Sequence, residues 1–369
     1  MTCKNDILKK GRVEKVKMGI KNLGPFVRKN EIDCEFVQPL SDFSGTPWGV
    51  DALNRVCIFK PIVVKNIMNR RKNIFDEPSV DEITTGIKQM IMDFVQKLLD
   101  HHITPVWIWD GEADASKSQT KVDRREKRKK GLEKHKILRE QFKEKSILEL
   151  TDVDIKRWKN SCSTNHDFPP EEFDKIKKFL IDIGTPSITA EDEAENLASS
   201  LSYEGKISMV VSNDTDAYPL AARKVFGSIF KKGDQYYVKG IEPWKIPKAL
   251  KMTWKCFRDM CILFGTDFNE NLPGIGSVKS LQLIREHGSL ENIEKNTKHN
   301  LTFMEYKKRR KQLSPYSTYY QSDSHLAITD CFDEYQIDTF REQNPGINFN
   351  DYFGALHDIY QKNQRNHKG

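Results

Sequence analysis

The sequence predicts an α/β fold in which a mostly parallel central sheet is flanked by helices. Two observations carry this prediction: three short apolar segments lead into aspartates, and amphipathic segments lie between and around them. Parallel neighbouring strands need long crossover connections, usually helical, and the chain shows this alternation. With 369 residues, of which 37% are hydrophobic, the chain can also bury a substantial core.

The predicted strands all end at or near acidic residues. Residues 104–111 are β-branched and aromatic and end abruptly in an Asp-Gly turn, and residues 207–212 lead into the acidic stretch 213–216. A third segment, residues 49–59, starts with Gly-Val-Asp and continues as an apolar run. Because ligand sites of parallel sheets form at the carboxyl ends of the strands, we expect these aspartates to converge at one edge.

The predicted helices follow apolar residues at spacings of three and four. Residues 81–99 have this pattern most clearly, and residues 172–183 and 193–202 repeat it. The charged stretch 117–160 is rich in helix formers and is predicted to form helices that project from the core. Toward the C-terminus, residues 272–279 predict a tight hairpin between two helices.

The charge balance is only mildly basic, and its distribution is more informative than its sum. Sixty Lys and Arg oppose 53 Asp and Glu, for a net charge of +7. Between Lys117 and Lys145, thirteen Lys or Arg stand against five acids, which fits a solvated helix face as well as a nucleic-acid contact.

The chain is expected to work inside a cell and away from membranes. No apolar run approaches the roughly 18 residues of a membrane span, and the basic N-terminus lacks the apolar core of a signal peptide. Seven scattered cysteines show neither a Cys-x-x-Cys pair nor a disulfide framework, so a reducing compartment is expected.

Seven acidic residues stand at predicted strand ends or turns. Mg²⁺ prefers oxygen ligands and keeps several waters, so a group of carboxylates without His or Cys suits it. Two such ions roughly 4 Å apart support hydrolysis of a phosphodiester bond. The seven acids are Asp51, Asp110, Glu193, Glu195, Asp214, Asp216 and Asp267.

Each of these acids taken singly also has a purely structural interpretation. Asp192 and Glu195 have the spacing of a helix capping box, which favours a cap over a metal ligand for Glu195 alone. Glu193 and Glu195 would not face each other in mid-helix, so a shared site requires them in the first turn. Asp214 and Asp216 fit an ordinary turn after a strand.

Taken together, the order and spacing of the motifs resemble the flap endonuclease/XPG family of structure-specific 5′ nucleases. The resemblance covers roughly residues 18–295 and implies a PIN-like nuclease core in which all seven acids bind metal. The matching segments are Met18-Gly-Ile-Lys-Asn-Leu-Gly24, Gly49-Val-Asp51, Trp109-Asp110-Gly111, Gly184-Thr-Pro186, Glu193-Ala-Glu195, Asp214-Thr-Asp216 and Phe264-Gly-Thr-Asp267.

The resemblance further implies catalytic roles for Lys117, for Arg124 and for Gly19, whose amino terminus packs near the family's active site. It implies two Mg²⁺ ions, for which Mn²⁺ would substitute. The segment Gly274-Ile275-Gly276 resembles a helix-hairpin-helix element, where K⁺ and backbone groups hold duplex phosphates. The residues expected to contact DNA are Arg125, Arg128, Lys129, Lys130, Gly274, Ile275, Gly276 and Lys279.

The resemblance implies six regions along the chain. An arch interrupts the nuclease core, and a DNA-binding region follows the core. The six regions are an N-terminal extension (1–17), an N-terminal nuclease region (18–116), a charged helical arch and cap (117–168), an internal nuclease region (169–255), a helix-hairpin-helix region (256–325) and a helical tail (326–369).

Three features depart from the family pattern. Cys57 occupies the position of the aromatic residue that stacks on the substrate base. Residues 312–320 resemble a sliding-clamp motif only distantly, because the tyrosines come one position late and Pro315 replaces an aliphatic residue, so clamp recruitment is not expected. Seventeen residues precede Met18, which suggests that translation starts at Met18 or that the extension is clipped or lies aside.

The leading hypothesis is a monomeric flap endonuclease and 5′ exonuclease that cleaves branched or flapped DNA near single-strand junctions. Its expected location is the nucleus or another site of DNA replication, and replication, repair and recombination all remain open as pathways. A 5′ exoribonuclease of related fold and a catalytically silent DNA-binding homologue remain as alternatives.

Overall fold

A computed structural model describes residues 19–111, 118–143, 149–318, 322–328 and 331–366. Its strands form one seven-stranded sheet in the order β1-β7-β6-β5-β2-β3-β4. The strands are β1 (Glu35–Pro39), β2 (Pro47–Asp51), β3 (Thr104–Trp109), β4 (Ser187–Thr189), β5 (Met209–Val211), β6 (Val225–Lys232) and β7 (Gln235–Ile241).

The sheet is mostly parallel, as predicted. Five neighbouring strands are parallel to one another, in the order β6-β5-β2-β3-β4. Strand β7 is antiparallel to both β6 and β1. The antiparallel edge was not predicted from the sequence. The mixed α/β architecture confirms the predicted fold class.

The helices account for most of the remaining described residues. Among them, none combines the length and the apolar character needed to cross a bilayer. They are α1 (Leu23–Lys29), α2 (Ala52–Arg70), α3 (Val80–Leu99), α4 (Ser118–Lys143), α5 (Asp152–Asn165), α6 (Pro170–Asp182), α7 (Ala194–Glu204), α8 (Lys245–Ala249), α9 (Trp254–Phe264), α10 (Ser277–His287), α11 (Leu290–Asn296), α12 (Tyr306–Gln312), α13 (Glu334–Gln343) and α14 (Tyr352–Asn366).

Strand β3 shows how the sheet separates two apolar layers. Its side chains alternate between the faces, so Trp107 packs with α2 and α3, whereas Val106 and Ile108 pack with α7. All six of its residues are buried, which explains why the segment is apolar throughout rather than alternating. The helices at residues 81–99, 172–183 and 193–202 are confirmed within a few residues of their predicted ends.

Two local predictions were wrong. The apolar run after Asp51 forms helix α2 and not a continuation of the strand, because its apolar residues follow helical spacing and Asp51 caps the helix. Residues 265–276 join α9 to α10, so this connection is longer than the predicted tight hairpin. Both segments still place predicted site residues at the end of a helix or strand.

A second core joins α1 to the C-terminal helices α9 to α12. Phe26 of α1 meets Phe264 of α9 edge to face, with ring centroids 5.3 Å apart. The same core includes Leu23, Leu263 and Ile284. The chain just after residue 19 is therefore anchored on the helices that follow the sheet.

Arg310 of α12 links three of these helices through two bidentate ion pairs. It contacts Asp259 of α9 at 2.7 and 2.9 Å and Glu291 of α11 at 2.8 and 3.0 Å. Its hydrogen bonds lower the pKa of Glu291 to about 2. The Asp259 side chain is fully buried, and its burial raises the pKa of that carboxyl in spite of the pairing. Removal of Arg310 would leave this charge without compensation.

Arg310→Met should lower the free energy of unfolding by about 3 kcal/mol, because a broken buried pair leaves an uncompensated carboxylate. Urea denaturation measures the loss. Arg341→Met is the matched control, since Arg341 and its partner Asp338 are both more than half exposed, and its cost should stay within about 0.5 kcal/mol. Equal stability losses in the two variants would contradict this account.

Candidate active site

Asp51 lies where β2 ends and α2 begins, and its carboxylate is almost completely buried. Oδ1 accepts a hydrogen bond from the backbone N–H of Asn54 at 3.0 Å, as an N-cap does. Oδ2 accepts one from the hydroxyl of Ser212 at 3.1 Å, across the sheet. The sharp change from strand to helix therefore orients Asp51 along the carboxyl edge of the sheet.

Asp214 and Asp216 follow strand β5 in a short 3₁₀ turn. The backbone N–H of Asp214 donates to the hydroxyl of Ser212 at 3.1 Å, and Asp214 Oδ1 accepts from the N–H of Asp216 at 3.0 Å. Both aspartates are buried, at 5% and 3% exposure. The turn thus places two carboxylates beside Asp51.

Asp110 follows β3 and reaches the start of helix α7. Its Oδ1 accepts a hydrogen bond from the backbone N–H of Ala194 at 2.9 Å. The N-cap of α7 is Glu193, which makes no side-chain cap bond, while Asp192 accepts a bond from Asn196. The predicted capping box of Asp192 and Glu195 was therefore wrong, because a carboxylate from a distant strand satisfies this helix end.

The first turn of α7 carries Glu195 toward the aspartates. Carboxylate oxygens of Glu195, Asp214 and Asp216 lie within 4.8 Å of one another. Three converging carboxylates of this kind offer the oxygen ligands that a hard divalent cation takes. Glu193 lies one residue before the helix, so both glutamates lie at the N-terminal end of α7, as a shared site requires.

Burial and the mutual repulsion of the carboxylates raise the pKa values of Asp51 and Glu195. Burial raises the pKa of Asp51 from 3.8 to about 7, and the charges of Asp110 and Asp214 add to that rise. Burial also raises the pKa of Glu195 well above its usual value, reinforced by Asp214 and by Asp51. Like charges held together in a buried site disfavour ionisation, and a bound cation would reverse that.

The loop after α9 brings Asp267 and the start of the described chain to the same region. The backbone N–H of Lys21 donates to the carbonyl of Gly265 at 2.9 Å, two residues before Asp267. A methyl group placed on Gly19 would lie 1.8 Å from Asp214 Oδ1. The largest charge interactions of Asp51 and Glu195 are with Asp110, Glu193, Asp214 and Asp216 and with each other, so these contacts group six of the seven acids.

The predicted catalytic cations are not described in the structure. Lys117 lies outside the described residues, as does Met18, and Arg124 falls within α4 at a position whose side chain is not described. On the same helix, Arg125, Lys129 and Lys130 are exposed. Arg128 is also exposed, and it forms an ion pair with Asp167.

The Gly274-Ile275-Gly276 segment forms the turn before α10. Gly274 has a left-handed backbone (φ 72°), Ile275 is buried under the turn, and Gly276 is the N-cap of α10. Both glycines face open space, since a methyl group on either would meet nothing within 4 Å. Lys279 is exposed in the first turn of the same helix.

Two supporting residues were missed at the sequence level. Ser212 donates to Asp51 and accepts from Asp214, and Asn54 accepts from the N–H of Asn213 at 3.1 Å. These bonds tie the ends of β2 and β5 together. Neither residue had a clear sequence signal, since Ser212 ends the predicted strand 207–212 and Asn54 lies within the apolar run 49–59.

Comparison with known proteins identifies similar sequences and folds. The XPG I-region matches residues 184–267, the segment that holds five of the seven acids. Flap endonuclease 1 of Glycine max is 28% identical over 280 residues, covering 76% of this chain and 69% of that protein. Flap endonuclease 1 of Debaryomyces hansenii is 26% identical, covering 75% of this chain and 69% of its own length.

The match to the XPG I-region and the flap endonuclease 1 relatives support a flap endonuclease/XPG-type nuclease.

Solved structures of flap endonuclease/XPG proteins share the fold. Flap endonuclease-1 from Methanococcus jannaschii superposes with a TM-score of 0.57 at 21% identity, covering 91% of this chain and 98% of that one. The catalytic core of Rad2 in complex with a DNA substrate gives a TM-score of 0.51 at 19% identity, covering 90% and 88% of the two chains.

The raised pKa of Asp51 leads to a prediction about the pH dependence of stability. A carboxyl whose pKa is raised by folding stabilises the protein most below pH 3.8, and this contribution is lost as the pH rises through about 7. Metal-free protein should therefore lose thermal stability between pH 5 and pH 8 more steeply than Asp51→Asn does, and Mg²⁺ should remove most of the difference. Parallel pH profiles for the two proteins without metal would contradict the prediction.

Proposed function

We propose that this protein is a Mg²⁺-dependent, structure-specific 5′ nuclease that hydrolyses DNA phosphodiester bonds near single-strand junctions. The supporting observation is the convergence of Glu195, Asp214 and Asp216 at the carboxyl edge of the sheet, with Asp51 and Asp110 as electrostatic neighbours. The names of the relatives, flap endonuclease 1, point to the same chemistry.

The carboxylates fit a pair of hard divalent cations. We assign Glu195, Asp214 and Asp216 to ion binding, together with Asp51, Asp110, Glu193 and Asp267 as direct or water-mediated ligands. When bound, such ions would polarise the phosphate and lower the pKa of an attacking water. Mn²⁺ would substitute for Mg²⁺.

The protein's own contribution is to hold these acids in place before the substrate arrives. Ser212 and the N–H groups at residues 54, 194 and 216 keep the carboxylates of Asp51, Asp110 and Asp214 in fixed orientations. Lys117 and Arg124 are assigned to the scissile phosphate, where a cation offsets developing negative charge. An ordered carboxylate frame costs little reorganisation at the moment of reaction.

DNA contacts are assigned to two separate surfaces. The exposed cations of α4 would hold the 5′ single strand, and the turn at Gly274-Ile275-Gly276 with Lys279 would hold duplex phosphates. Helix α10 has no acid in its first turn and no side-chain cap, so its positive end favours an anion. The proposal also includes a K⁺ ion at this turn. It further includes that the protein acts as a monomer, in the nucleus or at another site of DNA replication.

The α4 contribution predicts a specific salt dependence. Replacing both Lys129 and Lys130 with Ala should reduce the slope of log affinity against log salt by roughly 1.4 for flapped DNA, about 0.7 for each single-strand phosphate contact. Fluorescence anisotropy over a salt series measures the slope. Arg341→Ala on α13 is the control and should leave it unchanged. An unchanged slope in the double variant would remove α4 from the DNA interface.

The proposed activity is tested with matched 5′-flap, nicked, gapped, bubble and single-stranded substrates, each as DNA and as RNA, with Mg²⁺ or EDTA. We expect Mg²⁺-dependent cleavage of DNA near the junction, with products that carry a 5′-phosphate. Preferential degradation of RNA would identify an exoribonuclease, and binding without cleavage of any substrate would identify a silent homologue.

A further inference from the structure

A second group of metal-ligating side chains lies away from the acidic site. Glu77 belongs to residues 71–79, which connect α2 to α3, His135 belongs to α4 and Cys162 to α5. Ligand atoms of the three residues lie within 4.8 Å of one another. Cys162 is fully buried, His135 is 7% exposed, and the side chain of Glu77 is 19% exposed. Three different elements therefore bring one carboxylate, one imidazole and one thiol to a common point.

The His135 ring is oriented so that one nitrogen faces the group. Nδ1 lies 3.0 Å from the hydroxyl of Ser161, and Nε2 lies 3.3 Å from Glu77 Oε2. Trp158 stacks on the ring with centroids 4.9 Å apart and planes 17° apart. A metal-bound histidine usually has its other ring nitrogen held in a hydrogen bond, which fixes the tautomer, and the hydroxyl of Ser161 supplies such a bond to His135.

The charges of the three ligands suit a buried divalent ion. One thiolate and one carboxylate with a neutral imidazole cancel the charge of a dication, so the loaded site would be neutral, which burial favours. Sulfur and nitrogen donors select zinc over magnesium. Without metal, burial raises the pKa of Cys162 to about 12, so the thiol is protonated and its proton leaves to solvent when the metal–sulfur bond forms.

We propose that Glu77, His135 and Cys162 form a zinc site, with water as the fourth ligand, that fastens α4 to α5 and to residues 71–79. Zinc bonds of about 2.0–2.3 Å bring ligand atoms to roughly 3.5 Å of one another, so binding draws the three elements together. Helix α4 also carries the cations assigned to DNA. The zinc site would therefore hold α4 in position at His135, independently of the metal ions proposed for the acidic site.

A purely structural alternative uses the same residues. Protonated His135 would pair with Glu77, whose other oxygen lies 3.4 Å from Nε of Arg139, and Cys162 would be a buried thiol. These two arrangements differ in one measurable property. Only the zinc site forms a metal–sulfur bond.

Cobalt titration of the metal-free full-length protein tests the proposal, because Co²⁺ replaces zinc and a thiolate ligand gives a charge-transfer band in the near ultraviolet. The ligands assigned to the acidic site are all carboxylates, which give no such band. We expect one equivalent of the band, its removal by added Zn²⁺, its loss in Cys162→Ala, and full retention in Cys331→Ala, which changes an exposed cysteine. Ser161→Ala should weaken Co²⁺ binding about tenfold through the orientation of His135.

His135→Gln covers the case in which Cys162→Ala does not fold, since it keeps the thiol and should still lose the band at Co²⁺ concentrations that saturate the unaltered protein. Circular dichroism of each metal-free variant shows whether it is folded. Quenching of Trp158 fluorescence by Co²⁺ should accompany the band. Absence of the band in the unaltered protein, or its persistence in folded Cys162→Ala, would overturn the zinc site in favour of the ion pair.

Discussion

Asp214→Asn is expected to slow DNA cleavage by about a thousandfold or more, because bound metal ions supply several kcal/mol of transition-state stabilisation. Asp214 is central to the acidic group, since it is an electrostatic neighbour of both Asp51 and Glu195. An asparagine side chain keeps the oxygen that accepts from the N–H of Asp216, so the turn should persist. The effect should therefore fall on catalysis and not on folding.

Single-turnover cleavage of a 5′-flap substrate measures the rate, and anisotropy in Ca²⁺ measures binding. Affinity should stay within about threefold, since the phosphate contacts lie on other residues. The metal-free variant should also melt at a higher temperature than the unaltered protein, because one repelling charge is gone. Asp333→Asn, at the exposed cap of α13, serves as control. A variant that cleaves at an undiminished rate would contradict the assignment of Asp214 as a metal ligand.

Gly19→Ala is expected to lower the cleavage rate by about a hundredfold and to destabilise the protein by about 1–3 kcal/mol. Gly19 has a left-handed backbone (φ 76°), and an added methyl group would lie 1.8 Å from Asp214 Oδ1 and 2.8 Å from Thr215 Oγ1. The segment cannot easily retreat, because Lys21 is hydrogen-bonded to Gly265 on its other side. Asp214 must then move, and the acidic site with it.

Gly45→Ala separates steric contact from backbone strain. Gly45 has the same φ of 76°, but a methyl group there would meet nothing within 4 Å. It should show a stability loss of about 1 kcal/mol from the left-handed backbone alone, with an unchanged cleavage rate. Equal cleavage rates in the two variants would show that the contact between Gly19 and Asp214 has no part in catalysis.

The parallel half of the sheet could be predicted because its information is local. The apolar run of β3 ends in Asp110-Gly111, and the apolar core of β5 lies two residues before the acidic turn. Each local pattern therefore predicts both a strand and the residue at which the strand ends. The antiparallel edge could not be predicted in this way. Strand β1 pairs with β7, about two hundred residues further along the chain, and no local pattern specifies that partner.

The candidate site shows the same division between local and distant information. The acids of the site could be predicted because most of them follow strands. The hydrogen bond that caps α7 could not be predicted, because Asp110, which follows β3, accepts it from a distant part of the chain. Arg128 shows the limit of sequence-based prediction at the surface. Its charge suggests a phosphate contact, but its ion pair with Asp167 depends on how α4 packs against residues 166–169. Such pairings follow from tertiary packing and are not visible in a charge run.

Anomalous diffraction from crystals soaked in Mn²⁺ tests the central claim most directly, because it locates the ions independently of activity. The account predicts strong peaks within bonding distance of carboxylates from Glu195, Asp214 and Asp216, and the loss of at least one peak in Asp214→Asn. A protein that cleaves flapped DNA in Mn²⁺ while its crystals bind no Mn²⁺ at these three residues would contradict it.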